Sequence, residues 1–146
     1  MLPNLKVENL SCVRSEKVIF ENINFEVFPG ENLEIIGSNG SGKTTLLRTI
    51  LGLVQPEKGK IIWLDKNENF NELASKLSVG QRKRISIARW LLKDFKIYFI
   101  DEPFSALDDE ATFLIENLIQ ELNSRGCSFV LTGHRPSKLS ANRINI

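Results

Sequence analysis

Residues Gly37-Ser38-Asn39-Gly40-Ser41-Gly42-Lys43-Thr44 set three glycines, a lysine and a hydroxyl in the spacing GxxxxGK[ST]. Glycine lets the backbone curl so that successive N–H groups point inward, toward the oxygens of a phosphate. Lys43 can bring a point charge to the β- and γ-phosphates of a nucleoside triphosphate. The hydroxyl of Thr44, followed by Thr45, is suited to ligating Mg²⁺. A second reactive pair follows in Ile97–Pro103, IYFIDEP, where two adjacent acids end an apolar run. Asp101 is suited to holding Mg²⁺, often through water, and Glu102 to orienting or deprotonating an attacking water.

These residues need elements to hold them. Asn32–Gly37 reads as a strand entering the glycine loop and Lys43–Gly52 as a helix leaving it, which is the context the motif requires. A helix N-terminus adds its positive dipole end to the phosphate site. Lys96–Ile100 is a short, nearly unbroken apolar run, as expected of a buried parallel strand. Its acids then fall at the carboxyl edge of the sheet, where α/β proteins bind ligands. Asp109–Ser124 is the clearest helix, with Ala111, Ile115, Leu118 and Leu122 at helical spacing. Asp108, Asp109 and Glu110 crowd its first turn, and Gly126 is placed to stop it. Leu5–Val13, Ile23–Phe28, Gly59–Asp65 and Cys127–Thr132 read as further strands, Gly80–Lys93 as a helix, and Arg143–Ile146 as a last edge strand. Ile23, Phe25 and Val27 alternate with Asn24 and Glu26, which suits a sheet with one solvated face. Pro29-Gly30-Glu31 marks a turn. The alternation of strands and helices in the second half predicts an α/β fold with a mostly parallel central sheet and an antiparallel portion at the N-terminus.

The 146 residues fit one domain, with 42% hydrophobic and 25% charged residues, as in ordinary globular proteins. Nineteen basic against 18 acidic residues leave no field favouring nucleic acid or an anionic membrane. No apolar run approaches the ~20 residues that span a bilayer. The start, MLPNLKVENL, lacks the pattern of a secretory signal. Cys12 and Cys127 stand in no metal-type spacing and are expected to be reduced thiols of a cytosolic protein.

Asp101-Glu102-Pro103 followed by Ser105-Ala106-Leu107-Asp108 resembles the Walker B motif and D-loop of ABC ATPases, P-loop NTPases whose Walker A motif is the glycine loop above. Leu77-Ser78-Val79-Gly80-Gln81 resembles their LSGGQ signature with Val79 in place of the first glycine. His134, after CSFVLTG, lies where the family keeps its switch histidine. The resemblance implies an ATPase using ATP and Mg²⁺, with Lys43, Glu102 and His134 catalytic. In this family the signature of one subunit caps the nucleotide held by its partner, so Ser78, Gly80 and Gln81 are expected to bind across a dimer. It further implies integral membrane subunits as partners, no nucleic acid, and a peripheral position on the cytoplasmic side of the inner membrane.

Within the family, Leu10–Phe20, LSCVRSEKVIF, is similar to the ATP-binding subunit of haem-exporter, or cytochrome c maturation, systems (CcmA). Cys12, Arg14, Glu16, Lys17, Ile19 and Phe20 carry that likeness. The guanidinium of Arg14 stands about where other members stack an aromatic ring on adenine, and a planar guanidinium can also stack; a solvated surface arginine fits the position equally well.

The departure is one of length. Lys43 and Ser78 are only 35 positions apart. ABC ATPases insert there a strand, a Q-loop glutamine and a helical subdomain that docks on the membrane subunit. Gln55 lies in the turn before IIW and does not match the Q-loop position. The chain therefore reads as one nucleotide-binding domain over 1–146, shortened between 66 and 77, with the helical subdomain largely missing. A degenerate relative, an internally deleted variant and a compact version with a substituting partner all match this length. Chromosome and repair ATPases of the SMC type separate the two motifs by a long coiled coil, and this gap counts against that reading. The cluster Arg82, Lys83, Arg84 and Arg89 reads as a solvated or nucleotide-facing surface.

Overall fold

The computed structural model describes residues 1–63, 73–74 and 95–146. Strands β1 (Leu5–Arg14), β2 (Lys17–Val27) and β4 (Lys58–Trp63) form an antiparallel sheet in the order β2-β1-β4. In β1, Leu5 and Val7 are buried while Lys6 and Glu8 lie outside. Asn9 then takes a left-handed φ of 49°, the register shifts, and Leu10 and Cys12 return to the core. The hairpin closes on a two-residue turn with Ser15 and Glu16 both at positive φ, the conformation that matches strand twist.

The second strand is longer than the sequence predicts, starting at Lys17 rather than Ile23. Val18, Ile19 and Phe20 are three apolar residues in a row, so the alternation that marks a half-buried strand is missing there. Pairing along β1 imposes the strand instead. The strand expected over Gly59–Asp65 is present as Lys58–Trp63, its last two expected residues lying outside the described residues. The expected helix Gly80–Lys93 and the residues Leu77, Ser78, Val79, Gly80 and Gln81 lie outside the described residues.

Strands β3 (Asn32–Ile36), β5 (Leu73–Ala74), β6 (Ile97–Ile100), β7 (Ser128–Gly133) and β8 (Asn142–Asn145) form the second sheet, in the order β5-β6-β7-β3-β8. Each of its described pairings is parallel. Helices α1 (Lys43–Ile50) and α2 (Asp109–Ser124) cover its two faces. Leu33, Ile35, Phe99 and Val130 pack on one side with α1 and the antiparallel sheet. Tyr98, Ile100, Phe129 and Leu131 pack on the other with Ile115, Ile119 and Leu122 of α2. Neighbouring residues of one strand thus enter different cores, as the two-residue period of a strand dictates. Rings complete both layers: Tyr98 stacks on Phe129 at 4.9 Å, and Trp63 meets Phe99 edge-on at 5.8 Å.

Asp108 caps α2, its carboxylate accepting from the Ala111 N–H at 2.8 Å. The helix ends at Gly126 (φ 92°). The Gly126 N–H donates to Asn123 O and the Cys127 N–H to Leu122 O, the paired bonds of a Schellman stop. Asp108→Ala is expected to lower the unfolding free energy by about 1 kcal/mol, with Asp108→Ser close to the parent. Urea denaturation midpoints at constant slope measure both.

Candidate functional site

The order of the parallel sheet brings the reactive residues together. β7 lies between β3, which leads into the glycine loop, and β6, which ends in the two acids. The ends of β3 and β7 are joined by the Gly37 N–H donating to Gly133 O at 3.1 Å. The loop needs its glycines. A Cβ on Gly37 would stand 2.4 Å from Ser41 Oγ and 2.6 Å from Ile146 O, while Gly42 has φ 103° and a Cβ there would stand 2.7 Å from Ile19 Cγ2. Gly42 is also the N-cap of α1, without a side-chain cap, so first-turn N–H groups are left to serve an anion. Ser38, Asn39 and Gly40 are exposed on the loop, and Ser41 Oγ is buried with no hydrogen-bond partner.

Lys43 is buried, and its ammonium donates to the carbonyls of Gly37 at 2.5 Å and Ser38 at 3.0 Å. It lies 3.9 Å from Glu102 Oε1, and His134 Nε2 lies 3.4 Å from the same oxygen. Thr44 Oγ1 donates to Asp101 Oδ2 at 2.8 Å. Thr44 and Asp101, 57 positions apart, and Lys43 and Glu102 therefore meet at one sheet edge. Glu102 has a φ of 50°, in the left-handed region, and borders a cavity of about 700 Å³ shared with Phe104, Ser105 and His134. Its carboxylate is partly exposed, so water reaches it.

Other expected residues fall less centrally. Thr45 sits in the first turn of α1, its carbonyl accepting from the Thr49 hydroxyl at 2.8 Å. Arg14 is exposed at the β1–β2 turn. From the same hairpin, Ile19 fills the space beside Gly42 that a side chain there would need.

Two groups escaped sequence reasoning. Thr132, buried near the end of β7, donates to Asp101 Oδ1 at 2.6 Å and accepts from the Glu102 N–H at 2.8 Å. Its only sequence signal is a hydroxyl within an apolar strand. Glu34, buried in β3, accepts from Arg143 Nε at 2.8 Å and from the Ser137 N–H and hydroxyl. Nearby, the buried Glu116 of α2 accepts from the Lys138 N–H at 3.2 Å. Both acids anchor the segment that follows His134.

The family model described as ABC transporter matches residues 20–72 and 62–105. The chain belongs to the ABC transporter family. It is similar to the cytochrome c biogenesis ATP-binding export protein CcmA of Nitrosococcus oceani, at 32% identity over 97% of this chain and 90% of the relative. The protein of the same name from Aliivibrio fischeri is 28% identical over 96% of each chain. In fold it resembles an ATP-binding cassette of an ABC transporter in its ADP conformation, with a TM-score of 0.78 at 20% identity over 94% of this chain and 83% of the other. A component of the cbiONQ ABC transporter complex of Clostridium perfringens gives 0.75 at 22% identity, over 92% and 80%. The α/β architecture with a parallel central sheet and an antiparallel N-terminal sheet is that of these cassettes. The alignment with the A. fischeri relative runs over 196 positions against the 146 residues here, so relatives carry an internal stretch that this ABC ATP-binding subunit lacks. No helix among the described residues is long and apolar enough to cross a membrane.

The residues fit Mg²⁺ and a polyphosphate. Thr44 and Asp101 present a hydroxyl and a carboxylate side by side, the oxygen donors a hard divalent cation takes. The loop offers an unpartnered hydroxyl, main-chain N–H groups and an ammonium. Removing that ammonium with Lys43→Ala is expected to weaken ATP binding roughly 10- to 100-fold, the loss of one or two charge-assisted hydrogen bonds. Titration with a fluorescent ATP analogue measures it, and unchanged affinity would remove the phosphate loop from the account.

Proposed function

We propose that this subunit hydrolyses ATP to drive a transporter of the haem-exporter, or cytochrome c maturation, kind, at the cytoplasmic face of the inner membrane. The observation that carries the hydrolytic reading is the convergence of Lys43 and His134 on one oxygen of Glu102, beside the Thr44–Asp101 pair. The transport reading is supported by the CcmA relatives and by the resemblance of Leu10–Phe20.

In this reading the loop from Gly37 to Thr44 wraps the β- and γ-phosphates with N–H groups, and Lys43 moves its ammonium from the loop carbonyls to phosphate oxygens. Mg²⁺, when bound, neutralises charge on the phosphoryl group being transferred; Thr44 and Asp101 would hold it. Glu102, open to water from its cavity, orients the nucleophile and takes its proton. His134 fixes the carboxylate from the other side and can donate to the developing charge. Little of this is covalent, as phosphoryl transfer is catalysed mainly by positioning and charge stabilisation. Ser78, the Gly80 N–H and Gln81 of a second copy would close over the nucleotide, so hydrolysis belongs to a homodimer or a pair with another ABC subunit. Arg14 is the residue this reading offers to the base. The unit doing this is the whole of 1–146, and cargo selection falls to integral membrane subunits.

A second reading is favoured by the short interval between Lys43 and Ser78. Without a Q-loop and most of the helical subdomain, the chain would bind nucleotide but turn it over poorly or uncoupled from transport. Tight ATP binding without turnover supports this second reading, and co-purification with a membrane subunit supports the first.

Glu102→Gln is expected to bind ATP like the parent while its turnover falls at least ~100-fold, the smaller end of what a general base contributes. Phosphate release under saturating Mg–ATP decides this. Equal turnover in the two proteins removes Glu102 from the base role.

A further inference from the structure

We propose that Thr132 is a positioning residue of the site, its one hydroxyl setting the geometry of both Asp101 and Glu102; this rests on the hydrolytic reading above. Thr132 is 3% exposed and follows Phe129, Val130 and Leu131, all buried in β7. Valine would serve packing there equally well, since it has nearly the same shape and prefers strands. A hydroxyl is costly to bury unless it is bonded, and this one is used in both directions. It donates to Asp101 Oδ1 at 2.6 Å and accepts from the Glu102 N–H at 2.8 Å.

Each bond has a separate consequence. Asp101 has two oxygens, and Thr44 takes the other at 2.8 Å. The carboxylate is therefore clamped between hydroxyls from two elements, with its plane fixed for metal binding. Glu102 sits at φ 50°, which a side-chain-bearing residue adopts only where its surroundings hold it. The bond from its N–H to Thr132 pins the peptide in that conformation and keeps the carboxylate facing Lys43 and His134. Thr132 can serve as a fixed reference because its main chain is paired with Ile35 of β3, while the preceding Leu131 is paired with Ile100 of β6. The hydroxyl is held in register with the strand before the phosphate loop and the strand before the acids.

The test compares the parent chain with Thr132→Val, which removes the hydroxyl, and Thr132→Ser, which keeps it. Three quantities are read with a fluorescent ATP analogue and a phosphate-release assay: affinity in EDTA, the Mg²⁺ concentration at half-maximal tightening of binding, and kcat against KM. Thr132→Val is expected to match the parent in EDTA, because the phosphate loop is untouched. It is expected to need roughly 10-fold more Mg²⁺ and to lose roughly 10- to 100-fold in kcat with KM nearly constant, the scale of one hydrogen bond to a charged group. Thr132→Ser is expected to restore both. If Thr132→Val does not fold by circular dichroism, Thr132→Ala takes its place. A hydroxyl-free variant with the parent's Mg²⁺ requirement and kcat overturns the proposal. So does a folded Thr132→Ser that is as impaired as Thr132→Val. A parent that binds Mg–ATP without turnover overturns the hydrolytic reading alone, and the Mg²⁺ titration then decides Thr132 by itself. A parent without ATP affinity overturns both.

Discussion

β7 is hydrogen-bonded along one flank to the strand that precedes the phosphate loop and along the other to the strand that ends in the acids. Parallel pairing fixes where those strands end relative to each other, because the ladders are continuous and each register step is one residue pair. The ends of β3, β6 and β7 therefore lie side by side. Short bonds at that edge, Gly37 to Gly133 and Thr132 to Asp101 and Glu102, turn adjacency into a defined arrangement. If β7 slipped by one residue, Thr132 would leave the acids and His134 would leave Glu102. Two hydrophobic cores, one on each face of the sheet, oppose that slip, since it would exchange the faces of Val130 and Leu131.

The parts of the site that were legible in the sequence are those whose chemistry is local. The glycine loop, Lys43 and Thr44 form one short motif whose conformation follows from residue type and spacing. Asp101 and Glu102 announce themselves as acids ending an apolar run. Asp108 and Gly126 bound α2 by capping chemistry that operates within a turn. What stayed hidden depends on partners distant in sequence. Thr132 reads as an ordinary strand residue until β6 is placed beside β7, and Glu34 reads as a surface acid until Arg143 and Ser137 arrive from over 100 residues away. The early part of β2 was missed for a related reason. Its pairing with β1 replaces the alternation that Val18-Ile19-Phe20 lacks.

The stretch that reads as shortened in the sequence, 66–77, falls between two regions held by different forces. On one side the phosphate loop and α1 are fixed by the core they share with the antiparallel sheet. On the other, the acids and the segment after His134 are fixed by β7, α2 and the buried carboxylates of Glu34 and Glu116. Both sets of contacts are made among the described residues. A chain shortened between the two regions can thus keep the Thr44–Asp101 and Lys43–Glu102 contacts that join them.

Ile146 closes the described chain against the phosphate loop: its N–H donates to Ile36 O at 2.9 Å, and its carbonyl occupies space that any side chain at position 37 would need. A side chain introduced at position 37 would therefore meet main chain, which cannot swing aside as a flexible side chain can, and the strand edge would have to part to admit it.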